Sequence, residues 1–252
     1  MLTRKAIILA AGMGSRLRPL TNTEHKCMTK VCGTPIIYNA LKMLDKNSFD
    51  EVIIVVGYLR EKLQKQILAM DINVPIKFAV NDIYDKTNTV YSLQKGLEAA
   101  REYDEMYIIE GDVFFEESVL AKLIVEKEKN ATILERYRPD LEGSFVELDC
   151  KKYVIDWRHK TTQGTDYQLE NKYKTVNLHK FSKEFMKKIF EPALNDFVLK
   201  NGYNNPIEYL FRAIVADNEK LIKGEVLKGE NWYEIDDMHD LRKAEEIFGG
   251  VL

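Results

Sequence analysis

The sequence predicts an α/β fold, a mixed and mostly parallel sheet flanked by helices. Three observations carry that reading. Apolar runs alternate with amphipathic stretches through the first half. The first apolar run empties into a glycine-bearing, basic turn at 12–18. The chain has 252 residues and 45% hydrophobic content, enough for one sizeable domain and short for two.

Ala6-Ile7-Ile8-Leu9-Ala10-Ala11 gives the first strand, over 5–11, and similar runs place strands at 51–57, 75–80, 105–111 and 131–136. Helices fit 34–46, 59–70, 89–101 and 116–129, where apolar residues recur at three- and four-residue spacing, as in Leu120, Leu123 and Ile124. In the second half, 145–148 and 153–157 read as a β-hairpin around the polar turn Asp149-Cys150-Lys151-Lys152, a small β insertion near a site. Segment 160–171 is polar and reads as a mobile loop, and 173–178 as a strand. Helices follow at 182–200 and 206–216, short strands at 222–227 and 232–235, and a closing helix at 238–248. The layout is Rossmann-like, a single domain over 1–252 whose halves divide near 135.

The turn after the first strand is built to hold phosphate. Gly12 and Gly14 lack a Cβ, so backbone N–H groups can approach anionic oxygens, while Arg16 and Arg18 bring charge. It is not a Walker loop, since no Gly-Lys-Ser/Thr follows, and Leu17 stands where a dinucleotide fingerprint needs its third glycine. On the glycines alone, an ordinary strand-to-helix turn accounts for it equally well.

Composition narrows the classes. A net charge of −3, with 37 basic residues dispersed among 40 acidic ones, excludes a general nucleic-acid binder. Three cysteines, Cys27, Cys32 and Cys150, lack Cys-x-x-Cys spacing, and four histidines are scattered, so neither a disulfide framework nor a zinc site is supported. The opening Met-Leu-Thr-Arg-Lys has no long apolar core behind it, and a reducing cytoplasm with no membrane insertion is the expectation.

Two apolar strands end in carboxylates, Ile108-Ile109-Glu110-Gly111-Asp112 and Trp232-Tyr233-Glu234-Ile235-Asp236-Asp237. Ligands of open α/β sheets bind beyond the carboxyl ends of strands, where both could meet the glycine loop and hold Mg²⁺ through hard oxygens. Asp112, Asp236 and Asp237 are equally suited to capping the helices that follow them.

The string Leu9-Ala10-Ala11-Gly12-x-Gly14-x-Arg16-Leu17-x-Pro19-Leu20-Thr21, with Lys26 and Val31-Cys32-Gly33-Thr34-Pro35-Ile36-Ile37 behind it, resembles the signature of the sugar-nucleotide pyrophosphorylase and cytidylyltransferase superfamily. Within it, the chain is similar to small bacterial CTP:phosphocholine and 2-aminoethylphosphonate cytidylyltransferases. The matching elements are 55–61, Asn81-Asp82-x-Tyr84-x-x-x-Asn88-x-x-Tyr91-Ser92-Leu93, Gly111-Asp112 and Tyr233-Glu234-Ile235-Asp236.

The resemblance implies a Mg²⁺-dependent transfer of CMP from CTP to a small phosphorylated or phosphonate acceptor, with release of pyrophosphate. The first half would bind the nucleotide and the second the acceptor. Leu9, Ala10, Ala11, Gly12, Gly14 and Ser15 would form the triphosphate cradle, with Arg16 and Lys26 as catalytic cations and Asp112 and Asp236 as metal ligands. Asn81, Asn88 and Ser92 would lie near the cytidine and the acceptor, though Asn88 also suits a helix cap. Tyr84, Glu142, Lys174, Tyr233 and Glu234 would contact the acceptor, with Asp140, Glu142 or Glu234 meeting an ammonium and Lys174 or Arg136 a phosphonate. Partners would be CTP and that acceptor, no nucleic acid, and a homodimer is compatible with the reading.

Two departures qualify it. His25-Lys26 stands where the superfamily has Pro-Lys, which keeps the base and loses the rigid proline, and no tryptophan follows Tyr137 to wall a quaternary ammonium. Trp157, Tyr173, Trp232 and Tyr233 remain as candidate walls. The alternatives are a sugar-1-phosphate nucleotidylyltransferase, whose Glu-Lys-Pro motif is missing here, and a non-catalytic nucleotide-binding regulatory protein.

Overall fold

β1 (Arg4–Ala10) is apolar at every position from Ala6 onward because it is buried on both faces. Ala6, Ile8 and Ala10 join one core, while Ile7 and Leu9 join the other. The computed structural model describes residues 2–218 and 220–250. After β1 the short pair β2 (Lys30–Val31) and β3 (Thr34–Pro35) precedes α1 (Ile36–Lys46), so the predicted helix at 34–46 begins two residues late, with Pro35 at its N-cap. β4 (Glu51–Val56), α2 (Arg60–Leu68), β5 (Ile76–Val80), α3 (Thr89–Ala99) and β6 (Glu105–Glu110) continue the alternation.

β7 (Val113–Phe115) was not anticipated from the sequence; three residues are too few to show a period. α4 (Glu117–Val125) and β8 (Ala131–Arg136) follow, then β9 (Phe145–Leu148), β10 (Val154–Arg158) and β11 (Tyr173–Ser182). β11 runs four residues beyond the predicted strand, since its centre is sandwiched between β6 and β8. α5 (Lys183–Phe185) passes through a π-helical turn, Met186–Phe190, into α6 (Glu191–Asn201). α7 (Ile207–Asp217), β12 (Lys223–Val226), β13 (Trp232–Glu234) and α8 (Met238–Phe248) complete the described chain.

The main sheet has nine strands with the path β10-β9-β11-β6-β1-β4-β5, and β8 links β11 to β12. β6, β1, β4 and β5 are parallel, and β11 enters antiparallel. The β9–β10 hairpin extends the edge of this sheet as an integral part of it. One face packs on α1, α2 and α4 through residues such as Leu41, Leu63 and Leu120; the other packs on α3, α6 and α7 through Leu93, Leu194 and Phe211.

A third apolar cluster fixes the parts that shape the site. Leu17, Val31, Phe114, Tyr233, Ile235 and Phe248 pack together, pinning the glycine loop, β7, β13 and α8 onto one end of the sheet. β13 pairs antiparallel with β7, Glu234 opposite Val113, and Ile235 N–H donates to the Asp112 carbonyl at 2.9 Å. Two carboxylates far apart in sequence are thereby brought to the same strand ends.

Candidate active site

Beyond the carboxyl ends of β1 and β6 lies a cavity of about 710 Å³. The loop leaving β1 forms its floor. Gly14 sits at φ +60°, and a Cβ there would lie 2.7 Å from Lys26 Cβ, so only glycine lets the lysine stem cross the loop. Thr21 Oγ1 donates to the Gly14 carbonyl at 2.8 Å, Tyr58 Oη to the Thr21 carbonyl at 2.9 Å, and Lys62 Nζ to the Thr23 carbonyl at 2.6 Å. Gly111 is equally constrained: its N–H donates to the Leu9 carbonyl at 3.0 Å, and a Cβ would meet that oxygen at 2.7 Å.

His25 takes the place of the family's proline with a different device. Its Nδ1 accepts from Cys27 N–H at 3.2 Å, capping the short turn Lys26–Met28. Only 2% of the residue is exposed, and burial pulls its pKa down to about 4, with the Lys26 charge acting in the same direction. The imidazole is neutral at pH 7.

Lys26 is the hub. Its Nζ donates to Asp112 Oδ2 at 2.6 Å and to Asp236 Oδ1 at 2.7 Å, and Arg16 Nη2 meets the same Asp236 oxygen at 2.8 Å. Burial opposes the charge on Lys26, but the two carboxylates overcome it and hold the ammonium above the ordinary lysine range. Burial likewise opposes ionisation of Asp236, and Lys26 followed by Arg16 holds it below the usual carboxylate range.

A second acidic pair lies beside the first. Glu110, Asp112 and Glu234 each offer an oxygen, all within 4.8 Å of one another. Burial, then the neighbouring charges of Glu208, Asp112 and Glu234, pushes Glu110 well up; burial also raises Glu234, against the pull of Lys174. Lys174 Nζ donates to Glu234 Oε2 at 2.7 Å, and Asn177 Nδ2 donates to Glu110 and Glu234 at 3.4 and 3.3 Å. Asn177 reaches both because β11 shifts register between Thr175 and His179, leaving it at φ +62°. The donor set fits a hard divalent cation: carboxylate oxygens only, with Asp112 Oδ1 buried and without a hydrogen-bond partner among the described residues.

Helix capping falls to Asp237 and Asn88 rather than to Asp112 or Asp236. Asp237, not Asp236, caps α8, accepting from His239 and Asp240 N–H at 2.7 and 3.1 Å, while Asp240 returns a bond to Asp237 N–H at 3.0 Å. Asp112 caps no helix, since α4 starts after Glu116. Asn88 caps α3, its Oδ1 accepting from Thr89 N–H at 2.8 Å, and it also lines the cavity.

Of the residues picked from the sequence, Leu9, Ala10, Gly12, Gly14, Ser15, Arg16, Lys26, Asn88, Asp112, Glu142, Lys174, Tyr233, Glu234 and Asp236 line this cavity. Ala11, Asn81, Tyr84 and Ser92 lie outside it. Ala11 uses its carbonyl to accept from Tyr58 N–H at 3.0 Å. Asn81 is buried and donates to Thr87 Oγ1 and Ser92 Oγ at 3.0 and 3.1 Å, so Asn81 and Ser92 hold the 82–87 turn against α3. Tyr84 packs over Gly57 and against the Tyr58 ring, 6.1 Å away. Among the candidate walls, Trp157 is fully buried and stacks on Phe211 at 4.4 Å, Tyr173 packs into the core, and only Trp232 and Tyr233 reach the cavity. Arg136 is exposed and lies outside it. Glu110, Ser144, Asn177 and Glu208 were overlooked; a carboxylate closing an apolar strand is a signal for Glu110, whereas Glu208, in the first turn of α7, shows none.

Comparison with known proteins places this geometry. The chain is 29% identical, over 97% of its length, to the CMP-5'-(3-aminopropyl)phosphonate synthase of Streptomyces rubellomurinus, and spans 38% of that longer protein. It is 30% identical to the CTP:phosphoglutamine cytidylyltransferase of Campylobacter jejuni, over 94% of this chain and 97% of that one. Its fold matches the CTP:phosphocholine cytidylyltransferase of Streptococcus pneumoniae with a TM-score of 0.77 at 24% identity, covering 98% of this chain and 100% of that chain. The Nucleotidyl transferase family matches residues 5–142, a span that contains β1, the glycine loop, Lys26 and the Asp112 turn. The chain is therefore an enzyme of the nucleotidyl transferase family.

Proposed function

We propose that this enzyme moves CMP from CTP to a small phosphorylated or phosphonate acceptor, of the phosphocholine or 2-aminoethylphosphonate type, and releases pyrophosphate. The observation that carries the reading is the Lys26 ammonium held between Asp112 and Asp236 at the edge of the glycine loop. The names of the relatives, each a CMP or CTP enzyme, support cytidine as the base and a phosphate or phosphonate as the acceptor.

In the proposed step an acceptor oxygen attacks the α-phosphorus and a P–O bond forms. The bond from that phosphorus to the oxygen bridging it to the β-phosphate breaks, and its electron pair leaves with pyrophosphate. The attacking oxygen is already an anion, so no side chain has to remove a proton. The protein's work is alignment and charge neutralisation between two anions.

The glycine loop and Ser15 supply donors to the triphosphate, and Arg16 and Lys26 hold its oxygens through the developing charge. Asp112 and Asp236, which share Lys26, are suited to hold Mg²⁺, and Glu110 and Glu234 offer further oxygens within 4.8 Å of an Asp112 oxygen. Bound there, the ion would lower the repulsion between triphosphate and attacking oxygen. Lys26 and Arg16 exchange partners in this account, from the carboxylates to phosphate. Residues up to about 135 then form the nucleotide half, and the remainder brings Glu142, Lys174 and Glu234 to the acceptor end. Free cysteines throughout suit a reducing cytoplasm, and among the described residues no helix is long and apolar enough to cross a membrane.

The test is pyrophosphate release with Mg²⁺ from CTP, UTP, ATP and GTP, each with phosphocholine, 2-aminoethylphosphonate, phosphoethanolamine and glucose 1-phosphate. The proposal expects release with CTP and an aminated acceptor. Release only with a sugar phosphate, or only with another base, would overturn it.

A further inference from the structure

The acceptor end of the cavity holds more carboxyl groups than enclosed cations. Glu110, Glu208 and Glu234 line it with one enclosed cation, Lys174. Lys174 is fully engaged: it is 2% exposed, donates to Glu234 Oε2 at 2.7 Å and to the Thr175 carbonyl at 2.8 Å, and its Nζ lies 5.8 Å from the centre of the Trp232 ring.

Glu208 has no such partner. It is 9% exposed, and its Oε1 accepts from Ser144 Oγ at 2.8 Å, while its second oxygen has no hydrogen-bond partner among the described residues. His159 and Lys160 share this wall, and neither forms an ion pair with Glu208 among the described residues. The carboxylate is held in place: Ser144 is tied to Thr175, whose Oγ1 donates to Asn177 Oδ1 at 2.8 Å, and Asn177 reaches Glu110 at 3.4 Å. A largely enclosed carboxylate whose unpartnered oxygen opens to the cavity is best completed by a donor that carries positive charge.

We propose that Glu208 receives the primary ammonium of the acceptor, which makes the substrate an aminoalkyl phosphate or phosphonate with a free –NH3⁺ group. The inference rests on the phosphate- or phosphonate-acceptor reading above. A primary ammonium brings three N–H donors to an oxygen that lacks one. A trimethylammonium brings none and is held instead by aromatic faces. Trp232 already carries Lys174 over its ring, and Tyr233 is the remaining tyrosine or tryptophan along the cavity.

The experiment compares three acceptors of matched length with CTP and Mg²⁺: phosphoethanolamine, phosphocholine and 2-hydroxyethyl phosphate. The amine should exceed both others in kcat/KM by at least about 100-fold, the penalty for leaving a buried polar group unpaired. Glu208→Gln, which keeps the Ser144 contact, should raise KM for the amine by at least about tenfold, leave KM for CTP unchanged, and reduce the amine-to-hydroxyl preference toward unity. Glu208→Asp should recover part of that preference. If Glu208→Gln does not fold, Ser144→Ala should show the same loss of preference in weaker form. Equal or better use of phosphocholine or the hydroxyl compound would overturn this inference and leave cytidylyl transfer standing. An unchanged preference in the folded variant would also overturn it, and silence with every acceptor would overturn both.

Discussion

Lys26 Nζ and Asp112 Oδ2 meet at 2.6 Å across 86 residues of sequence, so the cation proposed to act in catalysis and the carboxylate proposed to hold the metal neutralise each other in the ligand-free protein. The contact resolves a conflict in the fold. Neither charge could be enclosed at the strand ends alone without a penalty of several kcal/mol, and paired they can. In the proposed reaction, movement of Lys26 onto phosphate would free the carboxylate for Mg²⁺ when the triphosphate is present.

Removing the lysine tests that exchange. Lys26→Ala should lower turnover by at least about 100-fold and cost about 2 kcal/mol of stability in the ligand-free protein, less than a fully buried pair because both side chains keep some exposure. Mg²⁺ alone should raise the melting temperature of this variant more than that of the wild type, because the ion takes the position of the lost ammonium. Equal Mg²⁺ shifts in a differential scanning measurement would contradict the assignment.

Adjacent aspartates should behave oppositely. Asp236→Ala or Asp112→Ala should collapse turnover while the fold survives; near-normal turnover in either would sink its role as a metal ligand. Asp237→Ala should retain turnover and lose about 1 kcal/mol of stability, the worth of an N-cap.

Gly14 and Gly12 make a second internal contrast. Gly14→Ala puts a Cβ 2.7 Å from Lys26 Cβ at a positive φ, so it should raise KM for CTP and depress turnover by at least about tenfold. At Gly12, which lines the cavity, a Cβ meets no protein atom within 4 Å, so Gly12→Ala should leave the stability of the ligand-free protein within about 0.5 kcal/mol and show its effect in KM for CTP.

Two buried histidines set an acid limit. Burial lowers His25 to about 4 and His179 to about 3, both below the ordinary 6.5, so the unfolded chain binds protons that the folded chain refuses. Stability from each is fully present above pH 6.5 and falls as pH drops toward the folded value. For His25 the gap between 6.5 and about 4 corresponds to on the order of 3 kcal/mol when complete. Glu110 and Glu234, raised by burial, act in the opposite sense. NMR titration separates the two: neither imidazole should show a midpoint above pH 5, and a midpoint near 6.5 would refute the burial argument.

How much was legible follows from what a local pattern can encode. β1 and its loop were readable because burial on both faces writes an unbroken apolar run, and a phosphate turn needs Gly14 and Arg16 close in sequence. Asp112 and Asp236 were readable as strand ends, but nothing local says that Ile235 bonds to the Asp112 carbonyl and sets them side by side. The resemblance implies that Asn81 and Ser92 lie near the nucleotide or acceptor, and no local pattern encodes the hydrogen bond that joins their side chains at 3.1 Å. Nor does a local pattern encode the contact of Lys174 with Glu234, 60 residues away.

Cytidylyl transfer is tested most directly by ³¹P NMR of a reaction containing the enzyme, Mg²⁺, CTP and 2-aminoethylphosphonate or phosphoethanolamine. Pyrophosphate and a new CMP-linked diphosphate or phosphonate–phosphate product should appear in equal amounts. Formation of CDP with inorganic phosphate, or pyrophosphate accompanied by free CMP alone, would contradict it.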